Sequence, residues 1–169
     1  MKEIRVEKVT LNIGAGKEQA VLEKGVKLLS QLSGVKPVKT VTQKRIAAWG
    51  LRPNLPIGCK VTIRKEEAET MIKRLLHAKE QRLSRKQFDN QGNLAFGLKE
   101  YIDIEGAKYN HEVGLMGLEA CITLTRPGYR VKNRRLKKGK IPTDHRITQQ
   151  EAVEFMKNKF NVNIIEEEK

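Results

Sequence analysis

The side chains best suited to chemistry in this chain are cations, and they concentrate between Arg126 and Arg146. Nine basic residues against one acid, Asp144, give this basic segment a net charge of +8, within a formal +14 for the whole chain. The nine are Arg126, Arg130, Lys132, Arg134, Arg135, Lys137, Lys138, Lys140 and Arg146. Because this segment is so highly charged and has no apolar periodicity, we expect that it cannot become ordered by itself in water and needs a polyanion to bind. The chemistry that it offers is the binding of phosphates.

No residue pattern in the chain indicates catalysis. Cys59 and Cys121 lie too far apart for a zinc or thioredoxin-type motif, and the three histidines are scattered. We expect two small buried thiols. The stretch Gly14–Lys17 resembles a phosphate loop, but a P-loop requires Ser or Thr after its lysine and Glu18 stands there. We therefore predict no enzyme activity, no metal and no cofactor.

Hydrophobic periodicity predicts the elements that must position these cations. Strands are expected at Ile4–Ile13, Pro37–Thr42, Ile57–Arg64 and Leu118–Thr125, and helices at Glu18–Leu32, at Glu66–Leu83 and after a capping box at Thr148–Glu151. Short strand or turn pieces are expected in 94–110. This order predicts an α+β fold, an antiparallel sheet with helices packed on one face. We expect a single RNA-binding domain, 1–169, with a projecting loop at 44–56 and a basic extension at 126–147.

The outward positions of the four predicted strands form a second candidate surface. They carry short hydroxyls, an amide and marginal cations, a mixture that suits the backbone and 2′-hydroxyls of folded RNA. No aromatic ring is among them, which argues against base stacking. The predicted RNA contacts are Lys8, Thr10, Asn12, Thr40, Thr42, Lys60, Thr62, Arg64 and Thr123 on this face, and Arg126, Arg130, Lys132, Arg134, Arg135, Lys137, Lys138 and Lys140 in the basic segment. Thr125 also points outward. For any one strand, the alternative is that Thr simply favours exposed strand positions.

The composition favours a nucleic-acid partner over a membrane. Lys and Arg outnumber Asp and Glu by 34 to 20, and the pI is about 9.9. No apolar run approaches the ~18 residues that span a bilayer, and the start of the chain lacks a signal-peptide core. We expect a cytoplasmic protein with no membrane partner and an acidic tail at Glu166–Lys169.

The predicted loop at 44–56 contains the only tryptophan, Trp49. Two interpretations stay open for it. Trp49 could cap the edge of the core, or it could project with Lys44, Arg45 and Arg52 toward a second RNA.

Five stretches taken together resemble the uL5 family of large-subunit ribosomal proteins. They are Val9–Gly14, Leu32–Pro37, Pro56–Arg64, Phe88–Asn93 and Phe96–Glu100. They lie in the family's order and cover nearly the whole chain. Two further stretches, Arg126–Tyr129 and Asp144–Ile147, resemble the archaeal and eukaryotic branch.

The resemblance implies a structural constituent of the large subunit that binds 5S rRNA and attaches it to the central protuberance during translation. It also implies contacts with 23S-type rRNA, a neighbouring 5S-binding ribosomal protein, a small-subunit head protein and P-site tRNA. Asn12 and Thr62 match polar sheet positions that contact 5S rRNA, and 44–56 matches the arm that faces tRNA. Val35 stands where many members have Gln, so no RNA hydrogen bond is expected there. The competing hypothesis is an RNA-processing enzyme or a free regulatory RNA binder.

Overall fold

The computed structural model describes residues 1–165, so the predicted acidic tail, Glu166–Lys169, lies outside the described residues. The strands are β1 (Arg5–Gly14), β2 (Val38–Val41), β3 (Pro56–Ile63), β4 (Arg82–Ser84), β5 (Leu94–Leu98), β6 (Leu118–Thr125) and β7 (Asn163–Ile165). The helices are α1 (Gln19–Ser33), α2 (Lys65–Ala78), α3 (Arg130–Asn133) and α4 (Gln149–Phe160), with single 3-10 turns at Ala47–Trp49, Arg85–Gln87 and Thr143–His145.

Five strands form the main antiparallel sheet, in the order β2-β3-β1-β6-β5. Along β1, β3 and β6 the burial alternates: Val9, Val61 and Ile122 are buried, while the polar residues between such positions are half-buried or exposed. One face of each strand therefore contributes to the core and the other meets solvent. The α+β class predicted from the sequence is confirmed.

The end of helix α2 and the two short strands β4 and β7 differ from the sequence prediction. Helix α2 ends at Ala78 rather than near Leu83, because Glu80 and Gln81 adopt left-handed backbone angles that a helix cannot continue through. Leu83 instead lies in β4, which pairs in parallel with β7. Both strands have only three residues, too few for an alternating pattern to be recognised.

The described chain divides into two compact units by its contacts. The first unit contains Met1–Val9, Arg64–Ala95 and the chain from Ile122 onward, and the second contains Thr10–Ile63 and Phe96–Cys121. Whether they act as one RNA-binding domain stays a prediction. No described helix is both long and apolar enough to cross a membrane.

In the second unit, α1 packs closely on the sheet at Gly25. A Cβ atom there would lie 3.0 Å from the Cys59 Sγ and 3.3 Å from the Ile13 Cγ2. The absent side chain therefore lets the helix approach β3 and β1, and Leu22, Leu28 and Leu29 complete the buried stripe.

In the first unit, the turn at 89–93 packs against the start of α4. The Asp89 carboxylate accepts hydrogen bonds from the Gln91 and Asn93 N–H groups at 2.8 and 2.7 Å. This closes the turn around Gly92, whose φ is +76°. A Cβ atom on Gly92 would lie 3.0 Å from the Ile147 Cβ and 3.5 Å from the Ala152 Cβ.

We expect Gly92→Ala to lower the free energy of unfolding by about 3 kcal/mol, because left-handed backbone strain and overpacking against Ile147 add together. Urea denaturation followed by circular dichroism measures it. The control is Gly97→Ala, since a Cβ at Gly97 has no atom within 4 Å. Equal stability of the two variants would contradict the packing described here.

Candidate RNA interface

The second unit presents a polar patch on the solvent face of its strands. Thr10, Asn12 and Thr40 are half-buried, whereas Lys60 and Thr62 are exposed. In the β2–β3 register, Thr40 lies opposite Gly58 and Val38 opposite Lys60, so β2 and β3 share this face. These predicted contacts of the second unit, Thr10, Asn12, Thr40, Lys60 and Thr62, are all on the exposed side of their strands. We call them the sheet patch.

Thr42 is not part of the sheet patch. The register shifts between Thr40 and Val41, and β2 ends there. The Thr42 side chain is buried, and its hydroxyl donates a hydrogen bond of 2.5 Å to the Arg52 carbonyl oxygen. The expectation of an outward hydroxyl at Thr42 is therefore wrong: this residue closes the base of the loop.

A carboxylate that the sequence analysis passed over lies beside the sheet patch. The Asn12 Nδ2 donates to the Glu119 Oε2 at 3.2 Å. Glu119 is exposed and alternates with the buried Leu118 and Ala120, so the strand pattern could have revealed it. A carboxylate repels phosphate but accepts hydrogen bonds from ribose hydroxyls and base amino groups. The sheet patch thus suits the edge of an RNA groove better than a bare phosphate chain.

The first unit holds the other predicted strand contacts. Lys8 and Thr123 are half-buried. Arg64 follows β3 as the N-cap of α2, with its side chain 56% exposed and its Nη1 3.6 Å from the Glu7 carboxylate. A pair this exposed contributes little to stability, so Arg64 stays available to an anion.

The basic segment has structure of its own, contrary to the sequence expectation. Tyr129 is buried at the start of α3. Its hydroxyl accepts a hydrogen bond from the Ile147 N–H at 2.9 Å and donates one to the His145 carbonyl oxygen at 3.2 Å. The two ends of the segment are thereby tied together across one side chain. Hydrophobic periodicity could not reveal this local structure, because a single buried Tyr orders the segment in place of a periodic series of apolar residues.

Arg126 is the second anchor. Its side chain is 4% exposed and pairs with the Glu151 carboxylate through Nη2 at 2.6 Å. Its Nη1 donates to the carbonyl oxygens of His145 and Arg146 at 3.3 and 3.1 Å. The prediction of Arg126 as an outward cation is therefore wrong: its charge is paired inside the protein.

The other predicted cations of the basic segment face outward. Lys132 is half-buried, and the rest are exposed. The exposed ones are Arg130, Arg134, Arg135, Lys137, Lys138 and Lys140. Once Arg126 and Tyr129 anchor the segment, its remaining charge is turned to solvent.

Glu151 supports both the anchor and the helix behind it. It completes a capping box with Thr148, as the sequence predicted. The Thr148 backbone N–H and the Arg126 guanidinium hold the pKa of the Glu151 carboxyl below its usual value, against partial burial, which raises it.

The loop at 44–56 is a short hairpin. Ile46 and Leu51 pair across it, and Leu51 is buried at its base. Trp49 is 67% exposed, which excludes the interpretation that it caps the core. Lys44, Arg45 and Arg52 are exposed as well.

Among residues 1–165, no cluster of His, Cys, Asp and Glu could hold a metal ion. Cys59 is buried as predicted, whereas Cys121 is half-buried on the polar side of β6. Burial raises the pKa of both thiols, and the Glu119 carboxylate adds to the effect at Cys121. Both sulfurs therefore stay protonated at neutral pH.

Family comparisons account for nearly the whole chain. Residues 1–52 match the family model of ribosomal protein L5, and residues 56–155 match the model of the C-terminus of the same ribosomal family. The chain belongs to the uL5 ribosomal protein family. Its branch is archaeal, and its role is that of a structural, non-enzymatic protein of the large ribosomal subunit in translation.

Three curated relatives illustrate the similarity. The large ribosomal subunit protein uL5 of Sulfolobus acidocaldarius is 45% identical over 166 residues, 98% of this chain and 93% of the relative. That of Nanoarchaeum equitans is 46% identical over 166 residues, 98% of each chain. That of Methanobrevibacter smithii is 40% identical over 167 residues, 99% of this chain and 98% of the relative. As in other uL5 proteins, rRNA and the ribosome are its partners.

We expect Glu151→Ala to lower the free energy of unfolding by about 2 kcal/mol, because it removes the carboxylate partner of the buried Arg126 guanidinium and the Glu half of the α4 capping box. Urea denaturation measures the change. Glu154→Ala, an exposed carboxylate on the same helix, is the matched control and should cost less than about 0.5 kcal/mol. Similar losses of stability in the two variants would contradict the role of the Arg126–Glu151 pair as an anchor.

A pH titration of stability tests the same carboxylate. A lowered folded-state pKa means that Glu151 stabilises the fold above its ordinary pKa of 4.5, and that this contribution is lost as the pH falls. Wild-type stability should therefore decline between about pH 5 and pH 3 more steeply than that of Glu151→Gln, which cannot titrate. Parallel pH profiles would be the contrary result.

Proposed function

We propose that this chain binds 5S rRNA and helps to attach it to the central protuberance of the large subunit. The observation that carries the proposal is the sheet patch: five polar or cationic side chains on the solvent side of strands whose other side is core. A surface with hydroxyls, an amide and an ammonium but no aromatic ring suits a folded RNA recognised by shape.

The outward cations of the basic segment supply the phosphate contacts in this proposal, with 5S rRNA or with 23S-type rRNA. Arg130, Arg134 and Arg135 are exposed, and guanidinium groups match phosphate oxygens with paired hydrogen bonds. Lys8 and Arg64 of the first unit are further candidates. Contacts with a neighbouring 5S-binding ribosomal protein and with a small-subunit head protein belong to the same proposal, on the family resemblance.

The hairpin at 44–56 is the proposed contact with P-site tRNA. Its exposed side chains combine one large ring, Trp49, with the cations Lys44, Arg45 and Arg52. A ring and cations on a protruding loop can stack on a base or ribose while meeting phosphates.

Asn12→Ala and Thr62→Ala should each weaken 5S rRNA binding about fivefold, because each removes hydrogen bonds worth ~1 kcal/mol. Filter binding at fixed salt measures affinity, and circular dichroism checks folding. Thr70→Ala, an exposed threonine on α2, is the control and should bind like wild type. Unchanged affinity for 5S rRNA in both variants would contradict the proposal that the sheet patch binds this RNA.

The electrostatic contribution to rRNA affinity can be measured in the same assay by varying the salt concentration. If about six cations reach phosphates, the logarithm of affinity should fall with the logarithm of salt at a slope of roughly −4 to −5. A slope near −1 would mean that charge does not dominate the interface.

For the hairpin, the double variant Trp49→Ala with Arg52→Ala should spare 5S rRNA binding and weaken P-site tRNA binding to reassembled ribosomes several-fold. Both side chains are exposed, so folding should be unaffected. An equal loss of 5S rRNA binding would argue against a separate tRNA arm.

A further inference from the structure

The basic segment borders an open cavity of about 340 Å³ in the first unit. Four cations border it: Lys132, Lys138, Lys140 and Arg146. Its volume is at the lower end of the range for small-ligand pockets, about 300–1,000 Å³, and exceeds what a phosphate group alone would fill.

Three hydrogen bonds shape the wall of this cavity. The Gly139 N–H donates to the Val131 carbonyl oxygen at 3.2 Å, which folds the loop back on α3. The Arg134 Nε donates to the Lys137 carbonyl oxygen at 2.7 Å, where Lys137 has a φ of +50°. The Arg146 Nε donates to the Ile141 carbonyl oxygen at 3.3 Å. The shape of the loop is therefore set by hydrogen bonds within the basic segment, one from the backbone and two from arginine side chains.

The charges around the cavity favour an anion. None of the residues that line it carries a carboxylate. The Lys132 ammonium is 4.9 Å from the centre of the Tyr129 ring, which stabilises this cation without neutralising it. Convergent cations repel one another, and a bound phosphate removes that repulsion.

The other residues that line the cavity are suited to bind a base as well as a phosphate. Leu124, Tyr129 and Ile141 supply apolar surface, and Gln91 and Asn93 supply amides. Apolar surface accepts the face of a base, and amide groups hydrogen-bond to base edges. The Asn93 Nδ2 donates to Asp89 at 2.8 Å, which holds this amide in place.

We propose that this cavity binds one nucleotide of rRNA that is turned out of its stack. The base lies against Leu124, Tyr129 and Ile141, and its phosphate lies among Lys138, Lys140 and Arg146. The inference deepens the proposed rRNA contact of the basic segment and rests on it. Phosphate contacts along an intact helix would need exposed cations only, and not a cavity with an apolar floor.

The test is an amide NMR titration of the full chain with adenosine and guanosine 5′-monophosphates, ribose 5-phosphate and inorganic phosphate. The expected result is shifts at Gly139 and Ile141 and an affinity for at least one nucleotide about fivefold or more above that for ribose 5-phosphate. Equal affinity for all four probes would show that the cavity binds anions without recognising a base. Tighter binding of a glutamate-rich peptide than of either nucleotide would indicate a protein partner. Either outcome overturns the proposal.

Matched charge variants separate this proposal from general rRNA binding. Lys138→Gln with Lys140→Gln should weaken nucleotide binding about tenfold, because charge-assisted contacts to phosphate are lost. Arg135→Gln removes a charge from the same segment outside the cavity lining, so it should weaken rRNA binding only and leave the nucleotide affinity unchanged. If Arg135→Gln lowers the nucleotide affinity equally, the cavity is not a site, although rRNA binding by the segment stands. If wild type binds the nucleotides but not rRNA, the proposed function fails instead.

Discussion

The ion pair between the buried Arg126 guanidinium and the half-buried Glu151 carboxylate is the interaction on which the presentation of charge depends. A segment with nine cations would repel itself if all of them faced solvent together. Turning one guanidinium inward gives the segment a fixed point, since that group also bonds the carbonyl oxygens of His145 and Arg146. Glu151 lies in the first turn of α4, so the same carboxylate links the segment to a helix of the folded body.

This fixed point has consequences for RNA binding. A segment that is already shaped loses less conformational entropy on binding than one that must order on the RNA. The Arg126 anchor and the Tyr129 hydroxyl together set the path of the chain from 126 to 147. In the second unit the sheet patch is prepared in a different way, by strands that bury one face and leave hydroxyls on the other. The two surfaces proposed to contact rRNA are thus both preformed and differ in their chemistry.

Much of the fold could be read from the sequence because its signals are local. Alternation located β1, β3 and β6, and the capping box located the start of α4. The misplaced residues were those whose surroundings come from distant parts of the chain. Arg126 is paired with a residue 25 positions away, and Thr42 is held by the carbonyl of Arg52 after a shift in strand register. The cavity is another case, because Gln91 and Asn93 reach it from a turn far from the basic segment. The types of the side chains indicated that the ligand is a polyanion. Only the fold distinguished the side chains that anchor the segment from those that are exposed to a ligand.

Hydrogen exchange of the RNA-free protein tests most directly whether the basic segment is shaped before it meets RNA. The Ile147 and Gly139 amides donate to the Tyr129 hydroxyl and the Val131 carbonyl, respectively. Both amides should exchange at least about tenfold more slowly than exposed amides of the same segment. If the whole stretch from 130 to 147 exchanges at the rate of an unfolded chain until rRNA is added, the RNA shapes the segment and the anchor described here does not.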